Sequence, residues 1–427
     1  MTFQGGIIMK ARTYMVILFT LIFVVCAVRG IAGDYDWPRW RGLNGDGISM
    51  KTDWDPEALD GGPKILWKAD VEIGYSNVAI KDSRLYTMGH KGRENYIYCL
   101  DAETGNEIWR YTFQSSYDPM STPLVDGNCV YGLGANGELL CLKTKNGKLL
   151  WEKDLNLDFK AWNTTNGWAT SPAVEGKLLL LNANDMEIAL NKKTGNFVWG
   201  IEDAKPPRSW GSYATTVVFD DDGTRVALFL GPSTLNAVEV TTGKKLWSYV
   251  HDDIWHPIAD PIVFDNKVFI SLTNRCVMME ITGTEPRELW NNTALTIDLA
   301  PAIMVDGYLY GTHWPFEVFV NAMDWNTMLR MDWPFRCIDA KIGAVMWEKN
   351  METLSLIAAD GKLIMLGLDG TLRIAEATSS SYRELFSVDV LGGEKRPRIF
   401  TTPPVLCNGR IYCRNYAHDL VCIDVSK

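Results

Sequence analysis

Histidine is scarce in this chain of 427 residues, which contains only five: His90, His251, His256, His313 and His418. None of them stands at the spacing of a metal-binding motif. The sequence also contains no G-x-S-x-G, no HExxH, no P-loop and no dinucleotide-binding fingerprint. Enzymes marked by those motifs are therefore excluded. Acid–base chemistry on carboxylates stays open, because 52 acidic residues offer many pairs.

Long apolar runs are also missing, with one exception between Tyr14 and Val28. Basic residues precede this run, small residues follow it up to Gly33, and its 15 positions fall short of the roughly 20 that a membrane-spanning helix needs. The pattern predicts a signal peptide over residues 1–33. An uncleaved anchor and lipidation of Cys26 remain as alternatives, although no small residues precede Cys26. We expect an exported, periplasmic or cell-envelope protein without a membrane span in the mature chain.

Positive charge is in deficit. Without residues 1–33 the chain has 39 basic and 52 acidic side chains, a net charge of −13. Such a surface argues against nucleic acid and anionic lipid as partners. Hydrophobic residues make up 47% of the sequence and include 17 tryptophans, which indicates a large packed core.

What is present is a repeat that ends on an aromatic residue. The closing positions are Trp67, Trp109, Trp151, Trp199, Trp247, Trp290, Trp347 and Phe386. Their spacing lies between 39 and 57 residues, which is typical of a propeller. Each period contains four short apolar stretches and two turns with glycine, such as Asp126-Gly127 and the segment 103–106.

This pattern predicts an all-β fold, an eight-bladed β-propeller of four-stranded antiparallel blades. The last repeat stops after its third strand, and residues 64–71 form a fourth strand with no first three. We therefore expect the N-terminal strand 64–71 to complete the last blade and close the ring. Residues 64–427 form one domain in this interpretation, preceded by an irregular strap over 34–63.

Four cysteines, Cys99, Cys141, Cys337 and Cys422, occupy the same position in different repeats. The sheets hold these positions apart, so we expect small buried side chains there. The sequence has no CxxC and no adjacent cysteines, and pairing among its eight mature cysteines stays open.

The segment CLDAETGNEIW (99–109) resembles the tryptophan-docking repeat of the PQQ-binding-like β-propellers, a group that includes exported BamB-like proteins and quinoprotein dehydrogenases. The resemblance covers nearly the whole mature chain. It implies that the tryptophans lock neighbouring blades together, at Trp67, Trp109, Trp151, Trp199, Trp247, Trp290 and Trp347. Docking residues stabilise blades and do no chemistry, so the motif is specific for fold and weak for activity.

The dehydrogenases of this group hold pyrroloquinoline quinone (PQQ) over calcium in the centre of the ring. Near the starts of the innermost strands the chain offers Trp168, Tyr213, His256, Asp260 and Asp298, a polar and aromatic funnel. Lining a water-filled channel is the simpler role for these residues. We expect no catalytic residue, no metal site and no cofactor, with PQQ and calcium as the alternative.

An insertion over 313–335 lengthens repeat six and begins with His313 and Trp314. Its three tryptophans, three phenylalanines and three methionines suggest either a cover folded back on the ring or an interaction surface. The leading hypothesis is a monomeric, non-enzymatic exported scaffold that binds an envelope protein or carbohydrate. The alternative is a PQQ- and calcium-dependent dehydrogenase of alcohols or sugars.

Overall fold

The computed structural model describes residues 36–427, except 51, 53, 162–165, 184–185, 201–210, 252–256, 284, 297–299, 316–317, 319–330, 353 and 393–400. The predicted signal peptide lies outside the described residues, as does most of the insertion 313–335. No helix of the described part is both long enough and apolar enough to cross a membrane.

Eight antiparallel sheets form the ring, which confirms the predicted fold. Blades one to four contain β3–β6 (Ala79–Lys81, Arg84–Lys91, Glu94–Asp101, Glu107–Gln114), β7–β10 (Leu124–Asp126, Cys129–Leu133, Glu138–Lys143, Leu149–Asp154), β11–β14 (Ala173–Glu175, Leu178–Ala183, Met186–Asn191, Phe197–Gly200) and β15–β18 (Val217–Asp221, Thr224–Leu230, Thr234–Glu239, Lys245–Val250).

Blades five to eight follow in the same order. They contain β19–β22 (Ile262–Phe264, Lys267–Ser271, Cys276–Ile281, Pro286–Asn292), β23–β26 (Ile303–Val305, Tyr308–Thr312, Trp333–Asp339, Val345–Met351), β27–β30 (Leu354–Ala359, Lys362–Gly367, Thr371–Glu376, Glu384–Asp389) and β31–β33 (Val405–Cys407, Arg410–Arg414, Asp419–Asp424). The few remaining elements are β1 (Ile48–Ser49), β2 (Ile65–Asp70), a 3-10 turn at Pro56–Leu59 and α1 (Leu155–Asp158).

Ring closure follows the sequence prediction. Strand β2 pairs antiparallel with β33, with Trp67 opposite Cys422, and so supplies the fourth strand of blade eight. Lys64 Nζ lies 2.6 Å from Asp424 Oδ2 across this junction. The two ends of the propeller are therefore joined in one sheet.

The connections within a blade define two faces of the ring. The turns between first and second strands and between third and fourth strands lie at one end, the turn face. The remaining connections, including the one at residues 313–332, lie at the other end, the loop face. Several of the first turns, such as Asp360-Gly361, have positive φ at both central residues, as a tight hairpin requires.

A tryptophan from one blade packs on the turn of the next. The indole nitrogen donates to a backbone carbonyl of that turn in six pairs: Trp67 to Ala102, Trp109 to Thr144, Trp151 to Lys192, Trp199 to Val240, Trp290 to Ala340 and Trp347 to Thr378. Glycine is required under the ring, because a Cβ on Gly243 would lie 2.7 Å from Trp199. The same contact occurs at Gly105, Gly147, Gly195 and Gly343.

In four blades a tyrosine and a cysteine of the same blade flank the closing tryptophan. In blade one Tyr86, Cys99 and Trp109 lie side by side on adjacent strands, and the two aromatic ring centroids are 5.9 Å apart. Blades two, six and eight repeat this row. All eight described cysteines are free thiols, and burial raises the pKa of Cys99 to about 11, which keeps it neutral.

The junction between blades four and five lacks this contact. Trp247 is 4% exposed, and its indole nitrogen has no acceptor among the described residues. The hairpin between the third and fourth strands of blade five is longer than that of blade one, because Met278 pairs with Trp290, 12 positions on, whereas Cys99 pairs with Trp109, 10 positions on. Nothing lies within 4 Å of a Cβ on Gly283. This is the one described tryptophan junction without the indole hydrogen bond.

This difference gives a matched pair of substitutions. Trp199→Phe and Trp247→Phe remove similar volumes, but only the first breaks a hydrogen bond and leaves the Val240 carbonyl without its donor. We expect Trp199→Phe to lower the free energy of unfolding by about 1 kcal/mol more than Trp247→Phe. Urea unfolding of the two variants measures the difference, and equal losses would contradict the docking role of the hydrogen bond.

Candidate functional site

A belt of small polar side chains lines the entrance to the first strands of blades one to five. Each backbone amide donates to the side-chain oxygen at the equivalent position of the next blade. The bonds run from Asn77 to Thr122 (3.2 Å), from Thr122 to Ser171 (2.9 Å), from Ser171 to Thr215 (3.1 Å) and from Thr215 to Asp260 (2.6 Å). The belt therefore links five neighbouring blades around the channel.

Blade eight joins the belt through Asn77. The side-chain nitrogen of Asn77 donates to the Pro403 carbonyl at 3.1 Å, and the Thr402 hydroxyl donates to the Asn77 side-chain oxygen at 3.0 Å. Asn77 is 2% exposed, so these bonds lie away from bulk water. Because its members bond mainly to one another, the belt is a structural element first.

The strap segment 36–49 crosses the channel and contacts the inner strands of six blades. Trp37 exchanges two backbone hydrogen bonds with Ile80 of blade one. The remaining contacts are Pro38 with Val125 of blade two, Trp40 with Asp260 before β19, Arg41 with Ala302 before β23, β1 with β27 of blade seven, and Ser49 with Leu406 of blade eight. Beside blades three and four a small recess remains, lined by Arg39, Asn44, Pro172, Thr216 and Val218.

Asp260 fastens the strap to the ring. Its Oδ1 accepts from the Thr215 amide at 2.6 Å and its Oδ2 accepts from the Trp40 indole at 2.6 Å, while Arg41 Nε lies 4.0 Å away. Burial raises the pKa of Asp260, and Arg41 and these hydrogen bonds oppose that rise. The pKa of Arg41 is lowered by its own burial. Both carboxylate oxygens are thus engaged by the chain itself.

Two of the other residues predicted for the funnel, Trp168 and Tyr213, lie in the described part of the chain. Trp168 is 1% exposed and packs in the apolar cluster between blades two and three, where its indole faces Asn156 at 3.3 Å. Tyr213 is buried, and its amide donates to the Pro257 carbonyl. His256 and Asp298 lie outside the described residues.

His313 and Trp314 form the root of the insertion. The rings of Trp314 and Trp333 stack at 4.6 Å with an angle of 6°, which brings the two ends of the excursion together. His313 Nδ1 accepts from the Thr296 amide at 3.2 Å, and the Thr296 hydroxyl donates to the Trp314 carbonyl. Burial, and to a smaller extent Arg336, lowers the pKa of His313 to about 3.

Sequence reasoning found Asp260 and missed the residues that bind it. The belt residues carried a signal, because Thr122, Ser171 and Asp260 each stand directly before a proline at the start of a first strand. Trp40 and Arg41 carried no such signal in the sequence, because their contact with Asp260 joins positions about half the chain apart and leaves no local pattern.

Eight sheets, seven of them with a closing tryptophan, surround a channel crossed by the chain's own strap and define a propeller of the quinoprotein repeat type. Residues 57–156 and 93–332 match the family described as Outer membrane protein assembly factor BamB. The matched ranges cover more than half of the chain, which therefore belongs to this family.

Individual relatives are distant. Tetrathionate hydrolase from Acidithiobacillus ferrooxidans is 25% identical over 269 residues, which is 60% of this chain and 45% of that protein. The chain thus spans less than half of the length of this relative.

Two solved structures share the fold. BamB from Moraxella catarrhalis superposes with a TM-score of 0.63 at 12% identity, covering 85% of this chain and 99% of its own. Quinohemoprotein alcohol dehydrogenase from Comamonas testosteroni superposes with a TM-score of 0.68 at 12% identity, covering 92% of this chain and 81% of its own.

The described residues do not fit a quinone held over calcium. Calcium takes about six to eight oxygen ligands, and no group of three or more His, Cys, Asp or Glu side chains is placed for a metal ion in the described part. The channel carboxylate Asp260 already accepts from Thr215 and Trp40. No step of a quinone reaction is derived for these residues.

The strap contact can be tested at Asp260. Asp260→Ala leaves the buried Arg41 guanidinium without its carboxylate, so we expect the free energy of unfolding to fall by about 3 to 5 kcal/mol. Limited proteolysis should also cut faster near the exposed Leu43 and Asn44. Asp60→Ala, at an exposed turn, is the control with a change of about 0.5 kcal/mol or less. Unchanged stability and unchanged cleavage of Asp260→Ala would contradict the fastening role.

His313 makes stability depend on pH with a defined sign. Its folded pKa of about 3 lies below the usual value of about 6.5, so the unfolded chain binds a proton first as the pH falls and the free energy of unfolding decreases. We expect His313→Gln to shrink the difference in stability between about pH 7 and about pH 5 by up to about 2 kcal/mol. Leu157→Gln, at an exposed residue without a titratable group, is the control and should leave this difference unchanged. Urea unfolding at both pH values measures this difference in stability. If His313→Gln keeps the same difference as the parent, another group causes it.

Proposed function

We propose that this protein is an exported, non-enzymatic scaffold that binds a protein partner in the cell envelope and takes part in outer-membrane assembly. Membership of the family described as Outer membrane protein assembly factor BamB supports the last part. The single observation that carries the proposal is the filled channel. Its buried carboxylate and belt amides bond to the strap and to one another, so the surface left for recognition is the exterior.

The loop face is the part of the exterior best suited to a partner. The insertion 313–335 leaves the ring there, and the stacked Trp314 and Trp333 hold its two ends together. A loop with a rigid root is presented in a fixed place even when its own sequence varies, which is how propellers and other scaffolds display binding segments. We infer that this insertion contacts the partner.

The experiment compares the mature chain 34–427 with a variant in which residues 316–331 are replaced by a short Gly-Ser linker. Because the Trp314–Trp333 stack remains, the variant should fold and unfold like the parent. After cross-linking in the envelope, we expect the parent to co-purify with an outer-membrane assembly protein and the variant to lose about 80% or more of that signal. The exposed turn variant Asp60→Ala serves as a matched control and should retain the signal.

Two outcomes would contradict this function. One is equal co-purification by parent and variant, or binding of the parent to purified envelope glycan alone. The other concerns the second class of function: the mature chain is mixed with PQQ and calcium, passed through gel filtration and assayed for dye reduction by alcohols and sugars. Retained quinone with turnover would show a quinoprotein dehydrogenase.

A further inference from the structure

A second feature of the loop face lies where blade eight meets blade one. Tyr75, Asp118 and Tyr416 come from three different connections, His90 lies near the end of β4, and together they form what we call the seam patch. The ring centroids of Tyr75 and Tyr416 are 4.6 Å apart, and Tyr75 remains 38% exposed. Backbone hydrogen bonds from Gly74 to Tyr416 and from Tyr75 to Pro119 hold the connections together. The patch is therefore built on ordered backbone.

The carboxylate of Asp118 is the charged centre of the patch. Its Oδ2 accepts from the Tyr416 hydroxyl at 2.7 Å, and its side chain is 28% exposed. No lysine or arginine in the described part of the chain lies within salt-bridge distance of it, and His90 Nε2 is 3.8 Å from its Oδ1. Burial raises the pKa of Tyr416, and the hydrogen bond to Asp118 adds to this rise.

His90 and Asp118 present acceptors to each other. Asn95 donates its amide to the Tyr117 carbonyl at 3.2 Å, so its side-chain oxygen must accept the proton of His90 Nδ1 at 2.7 Å. In the neutral form of the ring this bond leaves the lone pair on Nε2, the nitrogen that faces Asp118 Oδ1. A donor placed between these two atoms would satisfy both.

The chain shows elsewhere what such an arrangement binds. In blade one, Tyr96 donates to Glu94 at 2.8 Å, and Arg110 lies 5.7 Å over the Tyr96 ring. In blade seven, Tyr382 donates to Glu384 at 2.7 Å, and Arg373 Nε lies 3.8 Å from the same carboxylate.

A fourth tyrosine–carboxylate pair differs. Tyr249 donates to one oxygen of Glu288, and Asn291 donates to the other. The seam patch has the tyrosine and the carboxylate without an arginine or an amide donor.

We propose that the seam patch binds an arginine side chain of a protein partner. This inference rests on the proposed function and names the chemistry of one of its contacts. A guanidinium is flat, stacks on aromatic rings and donates through several N–H groups at once. Its plane covers Tyr75, and its N–H groups reach Asp118 Oδ1 and His90 Nε2. The net charge of −13 of the mature chain favours approach of a basic segment.

The test uses fluorescein-labelled, capped peptides that contain three arginines, three citrullines or three lysines, measured by fluorescence anisotropy at low salt. Citrulline has nearly the shape of arginine without its charge. We expect the arginine peptide to bind about tenfold more tightly than the citrulline peptide. Asp118→Asn and Tyr75→Ala should each weaken arginine binding about fivefold or more. Glu384→Gln removes one charge at a site that already holds Arg373 and should change it less than about twofold.

Several results would overturn the proposal. Equal effects of Asp118→Asn and Glu384→Gln would mean binding to diffuse negative charge. If the lysine peptide binds as tightly as the arginine peptide and Tyr75→Ala has no effect, the peptides also bind only to diffuse negative charge. Failure of the arginine peptide to bind, or its displacement by phosphocholine vesicles or a neutral oligosaccharide, would assign the patch to another ligand or none. Tyr416→Phe repeats the test if Asp118→Asn does not fold.

The outcome is separable from that of the proposed function. The variant without residues 316–331 retains the seam patch, so it should still bind the arginine peptide with unchanged affinity. Arginine binding without capture of an envelope protein would support the seam patch as an arginine site and contradict the scaffold function. Capture of an envelope protein without arginine binding would support the scaffold function and contradict the arginine site.

Discussion

Six of the eight blade junctions depend on the burial of an indole against a turn of the neighbouring blade. Five of these turns have a glycine under the ring, because a Cβ at Gly105, Gly147, Gly195, Gly243 or Gly343 would collide with it. In all six, a backbone carbonyl of the turn accepts the indole proton. Apolar clusters that span neighbouring blades pack beside these contacts, so the indole helps to fix how one blade packs against the next.

The closing aromatic and the glycine turns recur in the sequence, and so the blade count and the closure by β2 could be predicted from it. The altered hairpin around Gly283 was equally visible in the sequence, but its effect on Trp247 emerges only when neighbouring blades are seen together. The contact between Trp40 and Asp260 spans 220 positions and repeats nowhere, so no periodicity reports it. The geometry of the loop face could not be predicted for the same reason, because the seam patch takes its members from three separate connections and from β4.

The strap changes how the ring should be understood. In an open propeller the channel wall is the natural place for a ligand, and polar groups at the strand starts would face it. Here those groups are bonded in a belt, and the strap bonds to the one buried carboxylate among them. The interior therefore serves stability. In the function we propose, recognition takes place on the loop face, where Trp314 and Trp333 stack at the base of the insertion and Tyr75 and Asp118 lie at the seam.

The pairing of β2 with β33 also constrains the order of events during folding. Strand β2 is synthesised well before its partner β33, so blade eight cannot form until the seven other blades have been made. Until then Leu66 and Trp67 belong to an unpaired strand, which is a site for wrong pairing and aggregation. Such a chain must be kept from contact with other chains until β33 is available. Ring closure then pairs segments that are far apart in the sequence, and long-range pairing of this kind is slow.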